Sequence, residues 1–400
     1  MRNSKRGSSA VFLTMILPAL IVIVMALIYG VREAVLESKA DGILSLAGDS
    51  LLSEFDYYVQ KEYGLFVMKG DEKYLTKKLK DYALRSFERD EKPKVKGLKA
   101  SGARFTAANT EEIKKQIKEY MKYAMAQGFF EGRKQEAYEG ERQARVLRHG
   151  PTRVALPSRS IPEKDLAERA GAAAENVMSL EGAFKEGSEG YVINRYILTH
   201  FNNRVEQVKE GSFFRSEAEY ILGGRYSDEE NERKTESLIK AVRTPLNLAH
   251  IYSDAEKRNL VITAAQIITP GAAAAATQLA LASAWAYAEA DNDVKLLTEG
   301  KKVPLIKSRS TWAVELESVI DKITGKTAEP EENRGYTYHE YIQMLLFLMD
   351  EDLKTGRILD LIQINTRKNH YDDFLLQEHV TGIYIEAEIN GRKFGYEKKY

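Results

Sequence analysis

The chain has 400 residues, with 59 Lys+Arg balanced by 59 Asp+Glu and no cysteine. A net charge of zero argues against a dedicated nucleic-acid binder, and the missing thiols exclude disulfide frameworks, thiolate zinc sites, iron–sulfur ligation and a cysteine nucleophile. With 44% apolar and 30% charged residues, wholesale disorder is excluded as well.

At the amino terminus Arg2, Lys5 and Arg6 form a basic head. Gly7-Ser8-Ser9 follows, then an apolar run over residues 10–30 that contains Pro18 and ends at Gly30. No charged side chain falls between Gly7 and Val31. At about 1.5 Å per residue the run reaches roughly 30 Å, the thickness of a bilayer's hydrocarbon core. A helix there satisfies its own backbone, as lipid demands. The basic head has no acid, whereas Arg32 and Lys39 are matched by Glu33, Glu37 and Asp41. The positive-inside rule keeps the amino terminus cytoplasmic and exports the rest. A cleaved signal peptide is the competing reading, but its apolar core runs to only ~7–15 residues. A permanent anchor in the cell membrane is expected, with the bulk of the chain extracytoplasmic and the lipid bilayer as its first partner.

Beyond the span, Leu36, Ala40, Ile43, Ala47, Leu51, Phe55 and Tyr58 recur at three- and four-residue spacing. That predicts one helix leaving the membrane and laying an apolar stripe on the exported region. Gly42 and Gly48 weaken the pattern and allow a break.

The start Arg6-Gly7-Ser8-Ser9-Ala10-Val11 ahead of a proline-containing apolar helix resembles TadE/TadG-like proteins of tight-adherence (Tad) pilus systems. Those relatives place a Glu close behind the Gly-Ser start. Here Val11, Phe12 and Leu13 stand instead, so permanent anchoring is expected over processing after Gly7. The small residues Gly7, Ser8, Ser9 and Ala10 allow close helix approach. Further segments widen the resemblance: Glu62-Tyr63-Gly64-Leu65-Phe66, Gln116–Tyr123 (QIKEYMKY), Asn194–Phe201 (NRYILTHF), Glu217–Gly224 (EAEYILGG), Val303–Ser308 (VPLIKS) and Tyr341–Leu346 (YIQMLL). Together they resemble an uncharacterised membrane-anchored family encoded beside Tad pilus genes in Gram-positive bacteria. The resemblance implies a setting and partners (pilus or pilin-like subunits and their assembly proteins) and no chemistry.

Later in the chain Thr110 before Glu111 and Glu112 predicts a helix start. Its apolar face is Ile113, Ile117, Tyr120, Met121, Ala124 and Met125. Residues 131–185 are read as a polar linker or exposed arm, with Pro151, Pro157, Pro162 and a basic run over 142–159. A solvated connector is the default there; contact with anionic lipid or wall polymer is the alternative. Ser227 followed by Asp228, Glu229 and Glu230 reads as an N-cap leading into Leu238, Ile239, Val242, Leu246 and Ala249. It lacks the alternating oxygens of a calcium loop. Residues 259–288 are again charge-free but are interrupted by Thr269-Pro270-Gly271. Two buried helices packed through alanine are expected, with a second span as the alternative. Residues 338–364 read as an amphipathic helix or pair. Ile383, Ile385, Ala387 and Ile389 alternate with Tyr384, Glu386 and Glu388, and Asn390-Gly391 follows, a hairpin signature.

Chemistry-bearing patterns are sparse. None of His149, His200, His250, His339, His370 and His379 sits in HExxH or HxH spacing. Ser237-Leu238-Ile239-Lys240 matches SxxK without a KTG partner. Gly223-Gly224 lacks the Lys and Ser/Thr of a phosphate loop. Glu217 and Glu219 flank a sugar only if their segment is a strand.

The expected architecture is helix-rich α+β. It comprises a head and transmembrane anchor (1–30), a juxtamembrane helix with the first part of the exported domain (31–130), the linker (131–185), and a helix-rich domain closing in a β-hairpin (186–400). The expected function is that of a single-pass structural or assembly protein, an accessory or minor pilin-like component. It is expected to have no catalytic, cofactor or metal site, no nucleic acid and no small-molecule substrate. An exported enzyme on cell-wall or surface glycan, using Glu217 and Glu219 or Ser237, is the alternative, as is a surface adhesin or sensor.

Overall fold

The computed structural model describes residues 5–86, 95–128, 136–137, 144–148, 153, 155–174, 177–187, 190–321, 327–389 and 391–400. Arg2, His149, Pro151 and Asn390 lie outside the described residues. The chain divides into two compact units. The first comprises residues 1–56, 66–106 and 378–400, and the second residues 57–65 and 107–377. These limits differ from the boundaries read at 130 and 185, because the last strands return to pair with residues near 100.

In the first unit, α1 (Lys5–Leu52) runs unbroken for 48 residues with Pro18 inside it. Ala40, Leu44, Ala47 and Leu51 recur at four- and three-residue spacing and are all buried. They pack with Leu75, Leu79 and Ala83 of α2 (Glu72–Ser86). The core's other wall is a three-stranded antiparallel sheet of β1 (Val95–Ser101), β2 (Gly382–Ile389) and β3 (Arg392–Lys399), with β2 central. Ala100 faces Ile385 across β1–β2, and Ile385 faces Tyr396 across β2–β3. Ile383, Ile385, Ala387 and Ile389 are buried, as their alternation requires. Gly391 turns the hairpin at φ 87°. The break allowed at Gly48 does not occur. A Cβ there would stand 2.8 Å from Ile385 Cδ1, so the glycine lets helix and sheet close up.

The second unit is built on α3 (Thr110–Ala126), α4 (Tyr191–His200), α5 (Glu217–Gly223), α6 (Asp228–Ser253), α7 (Ala255–Ile268), α8 (Ala274–Thr298), α9 (Tyr338–Leu348) and α10 (Glu351–Asn369). The cap of α3 is Asn109, whose side chain accepts from Glu111 N, so Thr110 is the first helical residue. Ser227 caps α6, accepting from Glu230 N. Thr337 and Glu340 form a reciprocal capping box on α9.

Residues 338–364 form two helices, with the chain restarting at Asp350, which caps α10. The amphipathic reading fails for α10: residues 353–366 are buried all round, including Lys354, Arg357, Asp360, Gln363 and Asn365. Each polar group finds a distant partner. Lys354 Nζ donates to Asn194 Oδ1 at 2.6 Å. Arg357 Nη1 donates to the carbonyls of Ile221 and Leu222 that end α5. Asp360 accepts from Ser158 N and Oγ and from Tyr220 OH. Ser158 belongs to the stretch read as a linker, whose Leu156, Pro157, Leu166 and Ala170 are buried. Its polar composition therefore hides a packed segment.

The charge-free stretch 259–288 folds as the helix pair α7–α8. Only one stripe of it is buried, through Val261, Ala265, Ala282, Trp285 and Ala286. Among the described residues α1 is the one helix long and apolar enough to cross a membrane.

Candidate functional site

The apolar turns of α1 have no protein around them. Phe12 is 66% exposed, Val22 65% and Ile28 63%. Lys5, Arg6 and Gly7 open this helix. Pro18 removes one backbone donor inside it, which a membrane helix tolerates. A Cβ at Gly30 would meet nothing within 4 Å. Beyond its apolar turns the same helix is clamped to the hairpin. Arg392 Nη1 donates to Glu37 Oε2 at 2.7 Å, and Tyr396 OH to Asp41 Oδ1 at 2.5 Å. Lys398 Nζ reaches Ser45 Oγ at 2.9 Å and Asp49 Oδ1 at 2.8 Å. Glu37, Asp41, Ser45 and Asp49 are spaced by four, so one polar row faces β3 while the neighbouring apolar row faces the core. Where the helix ends, Glu54 accepts from Tyr74, Lys78 and Tyr82. Burial pushes its carboxyl up, but these donors outweigh that and hold it below the usual carboxylate range. The exposed apolar segment thus continues without a break into a packed, hydrogen-bonded base.

The second unit carries a polar cavity of about 320 Å³ lined by Glu62, Tyr63, His200, Lys209, Ser212 and Asn365, among others. Behind this lining lies Glu217, which is fully buried and bonded to lining residues. Glu217 Oε2 accepts from Asn202 N and Ser212 Oγ at 3.0 Å, and Oε1 from Asn365 Nδ2 at 2.6 Å. Lys209 Nζ stands 3.8 Å from Glu217 and donates to Tyr63 OH at 3.1 Å. Burial pulls the ammonium down, but Glu217 and Tyr63 outweigh it and keep Lys209 above its ordinary value. Glu219 turns elsewhere, accepting from Arg204 N and Tyr338 OH at 2.8 Å each. Burial pushes its pKa up to about 7.

Glu217 and Glu219 thus sit at the start of a helix, so the strand on which a sugar-flanking pair depended is absent. A seven-residue segment is too short for its period to separate strand from helix. Both carboxylates staple the loop 202–216 to the helices, with Asp228 accepting from Arg145 N, Arg215 N and Ser216 N. The SxxK pair is not assembled either. Ser237 is exposed and donates to Arg233 O, while Lys240 pairs with Asp291 at 2.5 Å.

No three metal-binding side chains gather among the described residues. His200 stacks on Tyr196, His250 on Trp312, and His370 on Tyr58 with Glu62 at 2.9 Å. His339 lies 2.8 Å from Glu206.

Sequence reasoning missed Lys209 and Asn365, whose contacts with Tyr63 span 146 and 302 residues, and Asn202, which organises the loop around itself. It also missed a buried quartet. Arg243 Nε lies 2.9 Å from Asp293 Oδ2, and Lys307 Nζ lies 2.6 Å from both Asp293 Oδ1 and Glu289 Oε1. The two cations and two anions balance, and all four are buried.

The model of a family of unknown function (DUF5702) matches residues 143–391, more than half of the chain. No curated protein and no solved structure matches the chain with significance.

Proposed function

The chain belongs to the family of unknown function DUF5702, and we propose that it is a single-pass, membrane-anchored structural protein with a cytoplasmic amino terminus and an extracytoplasmic body. The observation that carries this reading is α1. Its upper turns are charge-free and open to whatever surrounds them, while its lower turns form a wall of the first unit's core.

Orientation follows from the uncompensated Arg2, Lys5 and Arg6 ahead of the span and the balanced charges behind it. The setting comes from the resemblance of residues 6–11 and the later segments to membrane-anchored proteins of Tad pilus clusters. The work of such an accessory or minor pilin-like component is packing: helix against helix in the bilayer through Gly7, Ser8, Ser9 and Ala10, and a folded surface against subunits outside.

The test is photo-crosslinking in the native host, with a diazirine amino acid at Ser9 of the full-length chain. The expected product is an adduct to a small protein with an apolar amino-terminal helix, together with loss of surface filaments when the gene is deleted. Crosslinks to lipid alone with normal filaments would overturn the assembly role.

A further inference from the structure

The helix pair α7–α8 carries an apolar surface that the anchor does not explain. From residue 259 to 288 there is no charged side chain. Leu260, Ile262, Ile267, Ile268, Leu279 and Tyr287 are all exposed, Ile267 by 76%. The alanines of the turn at 272–273 and those at 275–276 are exposed too. Soluble surfaces scatter such residues singly, whereas a contiguous charge-free patch marks an interaction site.

Four features select lipid as the occupant. First, residues 259–268 and 274–288 reach about 15 and 22 Å at 1.5 Å per residue. That is too short to cross a hydrocarbon core of about 30 Å and close to the depth of one leaflet. Second, the tip pairs several of its polar groups internally. Thr277 Oγ1 donates to Thr269 Oγ1 at 2.9 Å, Ala274 N donates to Gly271 O at 3.1 Å, and Thr269 N to Ala265 O at 2.9 Å. Such internal pairing lowers the cost of lipid contact, though the first turn of α8 has no side-chain cap. Third, charge returns at the base. Asp254, Glu256, Lys257 and exposed Arg258 precede the stretch, and exposed Tyr287 stands at the other end, where an interfacial aromatic belongs. Fourth, the chain carries its own tether, so a bilayer is the apolar phase at hand.

We propose that the α7–α8 hairpin dips its Thr269–Ala276 tip into the extracytoplasmic leaflet, giving the protein a second, non-spanning membrane contact. This rests on the anchor reading for the presence of the bilayer.

Because the chain lacks cysteine, nitroxide labels are placed one at a time in the full-length protein, at Ile267→Cys, Leu279→Cys, Val22→Cys and Glu331→Cys. The protein is reconstituted into vesicles of phosphatidylcholine and phosphatidylglycerol. Collisions with dissolved oxygen and with a water-soluble nickel chelate are read by electron paramagnetic resonance. The proposal expects labels at 267 and 279 to lose nickel collisions and gain oxygen collisions, as the label at 22 does, while the label at 331 stays open to nickel. Nickel access at 267 equal to that at 331 would overturn it. So would protection from nickel without gain of oxygen, which marks a protein partner or a second copy on the patch. Nickel access at 22 with lipid signatures at 267 would defeat the anchor and leave the hairpin contact standing.

Discussion

Glu219 offers a prediction that the geometry makes quantitative. Its side chain is fully buried, and Oε1 holds Arg204 N and Tyr338 OH. Oε2 has no hydrogen-bond partner among the described residues. Burial pushes the pKa up to about 7, so the folded chain keeps a proton that the unfolded chain gives up near 4.5. Folded protein binds the extra proton across that window, and stability therefore falls as pH rises through it. At about 1.4 kcal/mol per pH unit, the gap is worth about 3 kcal/mol. Glu219→Gln keeps an acceptor for both donors and removes the titration. Its amide nitrogen takes the place of the unpartnered oxygen and costs about 1–3 kcal/mol at every pH. The discriminating quantity is consequently the slope with pH rather than stability at any one pH. The assay is urea unfolding of the full chain in a nonionic detergent, followed by tryptophan fluorescence. The two tryptophans of the chain, Trp285 and Trp312, both lie in the same unit as Glu219. Wild type should lose about 3 kcal/mol more than Glu219→Gln between about pH 4.5 and 7.5. Parallel losses in the two proteins would refute the reasoning.

Two further predictions follow from packing and buried charge. Lys307→Met removes the cation that Glu289 and Asp293 share and should cost about 3–5 kcal/mol, read by the same fluorescence transition; a loss below about 1 kcal/mol would show that water reaches the quartet. At the base of the anchor, Gly48→Val forces a side chain against Ile385 and should cost about 1–3 kcal/mol. Gly42→Ala, with nothing within 4 Å of its Cβ, should stabilise by up to about 1 kcal/mol. Hydrogen exchange of the β2 amides separates the two, speeding for the first and slowing for the second.

The elements legible in the sequence were those whose signal is local. The charge-free run of α1, the alternation of Ile383 to Ile389 and the Ser227 cap each declare themselves within ten to twenty residues. Illegible elements depend on distant partners. Apolar turns alternating with acids and Arg357 made 353–366 look amphipathic, because nothing local shows that Ser158, Tyr220 and Asn194 wait for Asp360 and Lys354. Strand β1 meets β2 through pairs such as Val95 with Ile389, a separation that no window spans. The carboxylates Glu217 and Glu219 were visible as a pair, and their use as loop staples was not, since that use is set by backbone amides of Asn202 and Arg204.

The most direct measurement of the central claim is sidedness in intact cells of the native host. Asn3→Cys and Glu331→Cys are introduced singly into the cysteine-free chain and treated with a membrane-impermeant maleimide. The account predicts labelling at 331 on intact cells, labelling at 3 only after lysis, and full-length protein in the membrane fraction. Labelling at 3 from outside, or a full-length chain recovered free in the soluble fraction, would contradict it.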